Sequence, residues 1–212
     1  MKRPLLLLFF FPLFSQAQII ADSTQPDTYL FEHFVEGSVL QKNGNTQRAD
    51  LNYDARNGSI IFKQNGQNLV LTGLENVDTV YIGDKKFVAA EDRFYQVGTY
   101  TPIALFISYT YKTHPKEATT EHSGTSQQNS NMVSNNVSNA YLSRRFQGHF
   151  AVEFIKQFWL RRGRSFYKAN NENQVAKIFP QKKDAIGEYV RKNKIEFGRE
   201  KDMISLINFC ND

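Results

Sequence analysis

Cysteine is almost missing from this chain: Cys210 is the sole one in 212 residues, so no intramolecular disulfide can form. The local signatures of the commonest enzymes are missing too. There is no Gly-x-Ser-x-Gly elbow, no His-Glu-x-x-His, no phosphate-binding loop and no dinucleotide fingerprint. These gaps count against motif-bearing serine hydrolases, zinc proteases and nucleotide-binding enzymes, and no cofactor is implied. Apolar runs of membrane-spanning length are lacking; the one long run stops near ten residues, against the roughly 20 that a helix needs to cross a bilayer. Charge of one sign is not in great excess either. The formal net charge is +5, of which Lys2 and Arg3 supply two, and the remaining surplus sits mainly after Arg144. Such a balance favours solubility more than it argues for an anionic partner.

What the chain does carry begins at its N-terminus. Lys2 and Arg3 precede an apolar run from Leu5 to Phe14, followed by Ser15-Gln16-Ala17. A basic segment, a short hydrophobic core and small residues before a cut site describe a secretory signal peptide. The expectation is cleavage after Ala17, leaving residues 18–212 as one exported domain in the periplasm or beyond. Its length of about 195 residues lets it bury roughly 70% of its unfolded surface without disulfides or metal.

Residues 29–112 read as a ladder of short antiparallel strands. Asn43-Gly44, Asn57-Gly58 and Asn65-Gly66 are hairpin signals, because a type I′ turn needs positive φ at both central positions. Period-two runs lie between and beyond them: Ala49-Leu51-Tyr53, Leu69-Leu71, Val80-Ile82 and Ile103-Leu105-Ile107-Tyr109-Tyr111. Alternating with the last of these, Ala104-Phe106-Ser108-Thr110 should be partly wet. Seven or eight strands in an up-and-down order are expected, since the connections are too short for parallel crossovers. Residues 113–140 are polar and read as a flexible loop. Residues 141–169 should return as a hairpin, with a turn at Arg161-Arg162-Gly163-Arg164. Residues 170–212 switch to helical period. Asn171 and Gln174 form a capping box, Pro180 stops the first helix, Ile186, Tyr189 and Val190 mark a second, and Met203, Leu206, Ile207 and Cys210 mark a third. Gly187 should weaken the second by about 1 kcal/mol relative to alanine. The fold class expected is α+β: an antiparallel up-and-down sheet, as meander, roll or sandwich, with a C-terminal cap of short helices.

Two groups of residues are candidates for chemistry. His114, Glu117, Glu121 and His122 place two imidazoles and two carboxylates within nine residues, a donor set suited to zinc and to a metal-dependent hydrolase. Pro115 and the surrounding polar loop supply no visible support for such a site, so two ordinary solvated histidines are the plainer reading. Arg144, Arg145, Arg161, Arg162, Arg164 and Lys168 are interleaved with Phe146, Phe150, Phe158, Trp159, Phe166 and Tyr167. Cations beside exposed rings suit a polyanion; a strand with basic residues out and aromatics in gives the same pattern. Export disfavours nucleic acid, so an anionic glycan or phosphate-bearing lipid of the envelope is the partner expected. Cys210 reads as a small core residue in the last turn of a helix, where the dipole disfavours thiolate. His33 and His149, lone among apolar neighbours, read as hydrogen-bonded structural groups.

Several stretches together resemble small secreted proteins of Bacteroidota: Phe34-Val35-Glu36-Gly37-Ser38-Val39, Ala49-Asp50-Leu51-Asn52-Tyr53-Asp54, and Val77 to Gly83 running into Lys86-Phe87-Val88. The tail from Phe166-Tyr167-Lys168 to Ile207-Asn208-Phe209 is similar to theirs as well. The resemblance implies export from a Gram-negative cell and carries over no catalytic residue. The overall expectation is a non-catalytic envelope or secreted binding protein.

Overall fold

The computed structural model describes residues 28–115 and 150–212. The proposed signal peptide, most of the polar 113–140 stretch, Glu117, Glu121, His122, Arg144, Arg145 and His149 lie outside them.

Ten strands form one antiparallel sheet: β1 (Val35–Gln41), β2 (Thr46–Asp54), β3 (Ser59–Gln64), β4 (Gln67–Val70), β5 (Val77–Ile82), β6 (Lys85–Ala90), β7 (Arg93–Val97), β8 (Ala104–Pro115), β9 (Phe150–Arg162) and β10 (Ser165–Lys168). Three helices follow: α1 (Glu172–Ile178), α2 (Lys183–Asn193) and α3 (Glu200–Asn211). The sheet order is β10-β9-β8-β7-β6-β5-β1-β2-β3-β4. The chain thus makes two consecutive antiparallel runs, β1 to β4 and β5 to β10, joined where β5 pairs with β1. Eight strands, β1 to β8, begin within residues 29–112, as expected, and β9–β10 are the returning hairpin; the inversion of order could not be read from turn signals, which report only neighbours along the chain. None of the helices among the described residues is long and apolar enough to cross a membrane.

Turn chemistry differs among the three Asn-Gly pairs. Asn65-Gly66 is the two-residue loop of β3–β4, with φ of 51° and 77°, as a type I′ turn requires. At Asn43-Gly44 and Asn57-Gly58 the glycine alone has positive φ, within four-residue connections. Strand β8 runs through Thr113, His114 and Pro115, so the polar stretch starts later than its composition suggested. The ladder with β9 decides this: it stays in register from Ala104↔Arg161 to Pro115↔Phe150. For the same reason Phe150–Arg162 is one continuous strand.

The main core lies on one sheet face. Tyr53, Phe87, Phe94, Leu105, Ile107 and Phe158 are fully buried there, and Tyr53 stacks on Phe87 with ring centroids 5.3 Å apart. Helix side chains close this face: Val175 from α1, Ile186 from α2, and Met203, Leu206, Ile207 and Cys210 from α3. The sheet curls around this core. Strand β7 and the β2–β3 turn are distant in strand order, yet the Phe94 N–H donates to the Gly58 carbonyl at 2.7 Å and the Tyr53 hydroxyl to the Phe94 carbonyl at 3.3 Å.

Three asparagines stitch irregular backbone to this frame, because a side-chain amide offers the donor and acceptor of a peptide group. The buried Asn52 amide donates to the carbonyls of Phe31 (2.8 Å) and His33 (3.3 Å) and accepts from the Phe31 N–H (3.1 Å). Asn170 accepts from the Phe158 N–H at 2.8 Å, just ahead of α1. Asn211 accepts from the Ile103 N–H at 3.0 Å and donates to the Ile103 carbonyl at 3.1 Å, tying the end of α3 to the start of β8. At α1 the expected cap is present: the Asn171 side chain accepts from the Gln174 N–H at 2.9 Å. Gln174 reaches back one residue further than a capping box needs, to the Asn170 N–H at 2.7 Å.

Candidate functional site

On the sheet face away from the helices, strand register assembles an aromatic and cationic surface. Residues directly opposed across strands share a face, as do residues two apart along a strand. The pairs Val97↔Phe106, Phe106↔Trp159 and Trp159↔Lys168 therefore make one row across β7 to β10. Ala104↔Arg161 and Arg161↔Phe166 make the neighbouring row, and Tyr95 lies two residues from Val97 on the same face.

Tyr95, Ala104 and Phe106 are buried and form a small apolar cluster, against which Val88, Ala90, Val97, Trp159 and Phe166 pack half-buried. Among the described residues no helix side chain joins it. Thus Ala104, Phe106 and Ser108 are dry, contrary to a half-wet second face; only Thr110 is exposed. The cause is the ring layer above them. Tyr95 stacks on Phe166 at 4.9 Å and meets Trp159 edge-on at 6.1 Å, and Phe166 meets Phe106 edge-on at 5.2 Å. The Trp159 indole N–H donates to the buried Ser108 hydroxyl at 2.9 Å, which fixes the plane of the indole.

Two cations sit over these rings. The Arg161 guanidinium carbon lies 4.7 Å from the centre of the Phe106 ring, and the Lys168 ammonium 5.8 Å from that of Trp159. Both residues are exposed, and among the described residues neither takes part in an ion pair. A ring face attracts a cation without cancelling its charge, so the outer side of each remains open to an anion. Of the six basic residues singled out in the sequence, the fold brings Arg161 and Lys168 together. Arg162 falls on the opposite face, being one residue along the strand, and Arg164 is in the exposed β9–β10 turn. A strand with basic residues on one face and aromatics on the other is therefore not the arrangement: Arg161 and Lys168 share the face of Trp159 and Phe166. Tyr95 and Phe106 join that face through ladder register alone.

Of the proposed metal-ligating residues, His114 alone lies among the described residues. His114 Nε2 lies 3.0 Å from a carboxylate oxygen of exposed Glu153 across the β8–β9 ladder, and among the described residues no group of three His, Cys, Asp or Glu is placed to hold a metal. His33 is exposed rather than packed within apolar neighbours; its carbonyl, not its ring, is what Asn52 engages. Cys210 is buried, and burial pushes its thiol up to about 11, which keeps it protonated and unreactive.

One polar chain crosses the core. The Tyr109 hydroxyl donates to Gln96, whose amide donates to Glu200 at 2.7 Å, and the second Glu200 oxygen accepts from Lys156 at 2.6 Å. Both carboxylate oxygens are thereby engaged, and the network anchors the first turn of α3 to β7 and β9. Burial is the main cause that raises the Tyr109 and Tyr53 hydroxyls, the latter to about 12, so both act as donors at neutral pH. No protein-family model matches this chain, and neither the curated proteins nor the solved structures contain a match to it.

Proposed function

We propose that this protein is exported after cleavage at Ala17 and acts without catalysis, as a binding protein for an anionic glycan held on the face built from Phe106, Trp159, Arg161, Phe166 and Lys168. One observation carries the reading: two exposed cations rest on aromatic rings instead of carboxylates, on the sheet face that the described helices leave uncovered. The rings supply flat apolar surface for the C–H faces of sugars, and the cations take carboxylate, sulfate or phosphate substituents. Trp159 is held in orientation by Ser108, so little side-chain freedom is lost when a ligand seats on it.

The test is retention on a heparin resin with elution by rising salt, since polyanion binding releases counterions and weakens steeply with ionic strength. The wild-type protein should be retained at low salt. An Arg161→Ala, Lys168→Ala double variant should elute markedly earlier, whereas Arg162→Ala, on the opposite face, should elute with the wild type. Failure of the wild type to bind, or equal losses from both changes, overturns the reading.

A further inference from the structure

The same sheet face carries a third cation on rings. Tyr81 of β5 pairs directly with Lys86 of β6, and the Lys86 ammonium lies 5.7 Å from the centre of the Tyr81 ring and 4.6 Å from that of Tyr100. Tyr100, in the connection between β7 and β8, is 71% exposed and Tyr81 40%. These are two of the three large hydrophobic side chains exposed among the described residues. The Tyr100 hydroxyl is the largest of the causes that keep the ammonium above its ordinary value, so Lys86 is charged throughout the neutral range. Asp78 is near enough to add to that shift, but no carboxylate among the described residues forms an ion pair with Lys86.

Lys86 shares its face with the ring cluster. It stands two residues before Val88 on β6, and Val88 pairs with Tyr95. From there the apolar row of Val97, Phe106 and Trp159 leads to Lys168 on β10. Four strand spacings separate β6 from β10, about 19 Å at 4.7–4.9 Å each. Strand twist of about 20–25° per step also turns the two ends away from each other. A single sulfated or phosphorylated sugar reaches one end. A flexible chain with anions along its length can follow the twist, stack its sugars over the apolar middle and engage both ends at once.

We propose that Lys86, Tyr81 and Tyr100 form a second cation station, so that the ligand of this face is an extended polyanionic saccharide spanning β6 to β10. This rests on the anionic-glycan reading above and adds the length of the ligand to it. Joining two weak stations through one chain raises affinity by the effective concentration of the second contact, without new contacts at the first.

Trp159 is the sole tryptophan of the chain and lies at the first station, so its fluorescence reports binding there directly. Titration with a heparin-derived disaccharide and with an octasaccharide separates the possibilities. The wild type should bind the octasaccharide at least tenfold more tightly than the disaccharide. Lys86→Gln should remove most of that gain and leave disaccharide affinity unchanged, and Tyr100→Ala should do the same in part. Far-ultraviolet circular dichroism of each variant confirms an intact sheet. Equal affinity for the two lengths, or an octasaccharide affinity indifferent to both substitutions, overturns the second station while the first stands. Failure of the wild type to bind either saccharide overturns both.

Discussion

Replacing Gly37 with alanine should cost about 2–4 kcal/mol of folding stability, because β1 is held on both sides. Gly37 faces Ala49 of β2 and Ile82 of β5 at the junction of the two strand runs. A Cβ added there would lie 2.3 Å from the Tyr81 carbonyl oxygen and 2.8 Å from a methyl carbon of Leu51. Carbon–oxygen contacts between strands normally run about 3.3–3.6 Å, so β1 and β5 must part locally by about 1 Å. The obstacle on the β5 side is backbone, which has no rotamer to escape into. Stretching two ladder hydrogen bonds loses about 1 kcal/mol each, and overpacking against Leu51 adds about 1–3 kcal/mol. The stiffer unfolded chain returns only about 0.4–1 kcal/mol. Gly44→Ala is the control: φ is +89° there, but nothing lies within 4 Å of the new carbon, so only backbone strain of about 1–2 kcal/mol applies. Urea unfolding followed by circular dichroism, analysed by linear extrapolation, measures both. A Gly37→Ala protein within about 0.5 kcal/mol of wild type, or less damaged than Gly44→Ala, would refute the close-approach reasoning.

Gly187→Ala should act in the opposite direction, stabilising α2 by about 0.5–1 kcal/mol, since the new carbon meets only the flexible ends of Glu172 and Arg191; a lowered urea midpoint would contradict it. Stability should also fall at alkaline pH. Tyr53 moves from 10.0 to about 12 on folding and Cys210 from 9.0 to about 11, so the folded state holds protons that the unfolded state releases. Their contribution is complete below pH 9 and is lost as pH climbs through those folded values, roughly 3 kcal/mol for Tyr53 alone. The urea midpoint should therefore drop from about pH 9 upward, and more shallowly above pH 10 in Tyr53→Phe; a midpoint level to pH 11 would exclude it. Asn211→Ala leaves the Ile103 N–H without its partner, while the Ile103 carbonyl keeps the Thr101 hydroxyl, and should cost about 1–3 kcal/mol, with faster hydrogen exchange at Ile103 than at Leu105 as the local signature.

Local patterns carried the helical tail well. The Asn171 cap, the stop at Pro180 and the stripe of Met203, Leu206, Ile207 and Cys210 are all contacts within about one or two turns, where spacing in sequence equals spacing in space. Hairpins were legible for the same reason, and Asn65-Gly66 most clearly. The β5–β1 pairing was not, because nothing local distinguishes a strand that joins its predecessor from one that joins a strand some 40 residues earlier. The candidate site was visible only as a composition of arginines and rings around Trp159.

From the amino-acid order alone came the antiparallel class, the helical cap and the inert burial of Cys210, since each follows from periodicity or from one residue's immediate neighbours. Tertiary structure alone decided which cations share a face, that Phe106 and Tyr95 lie beneath them, and that Lys86 stands on the same surface. Side-chain direction in a strand reverses at every residue, so a run such as Arg161-Arg162 is divided between two faces. Residues as distant as Tyr81 and Lys168 meet on one face only through the hydrogen-bonded register of the strands between them.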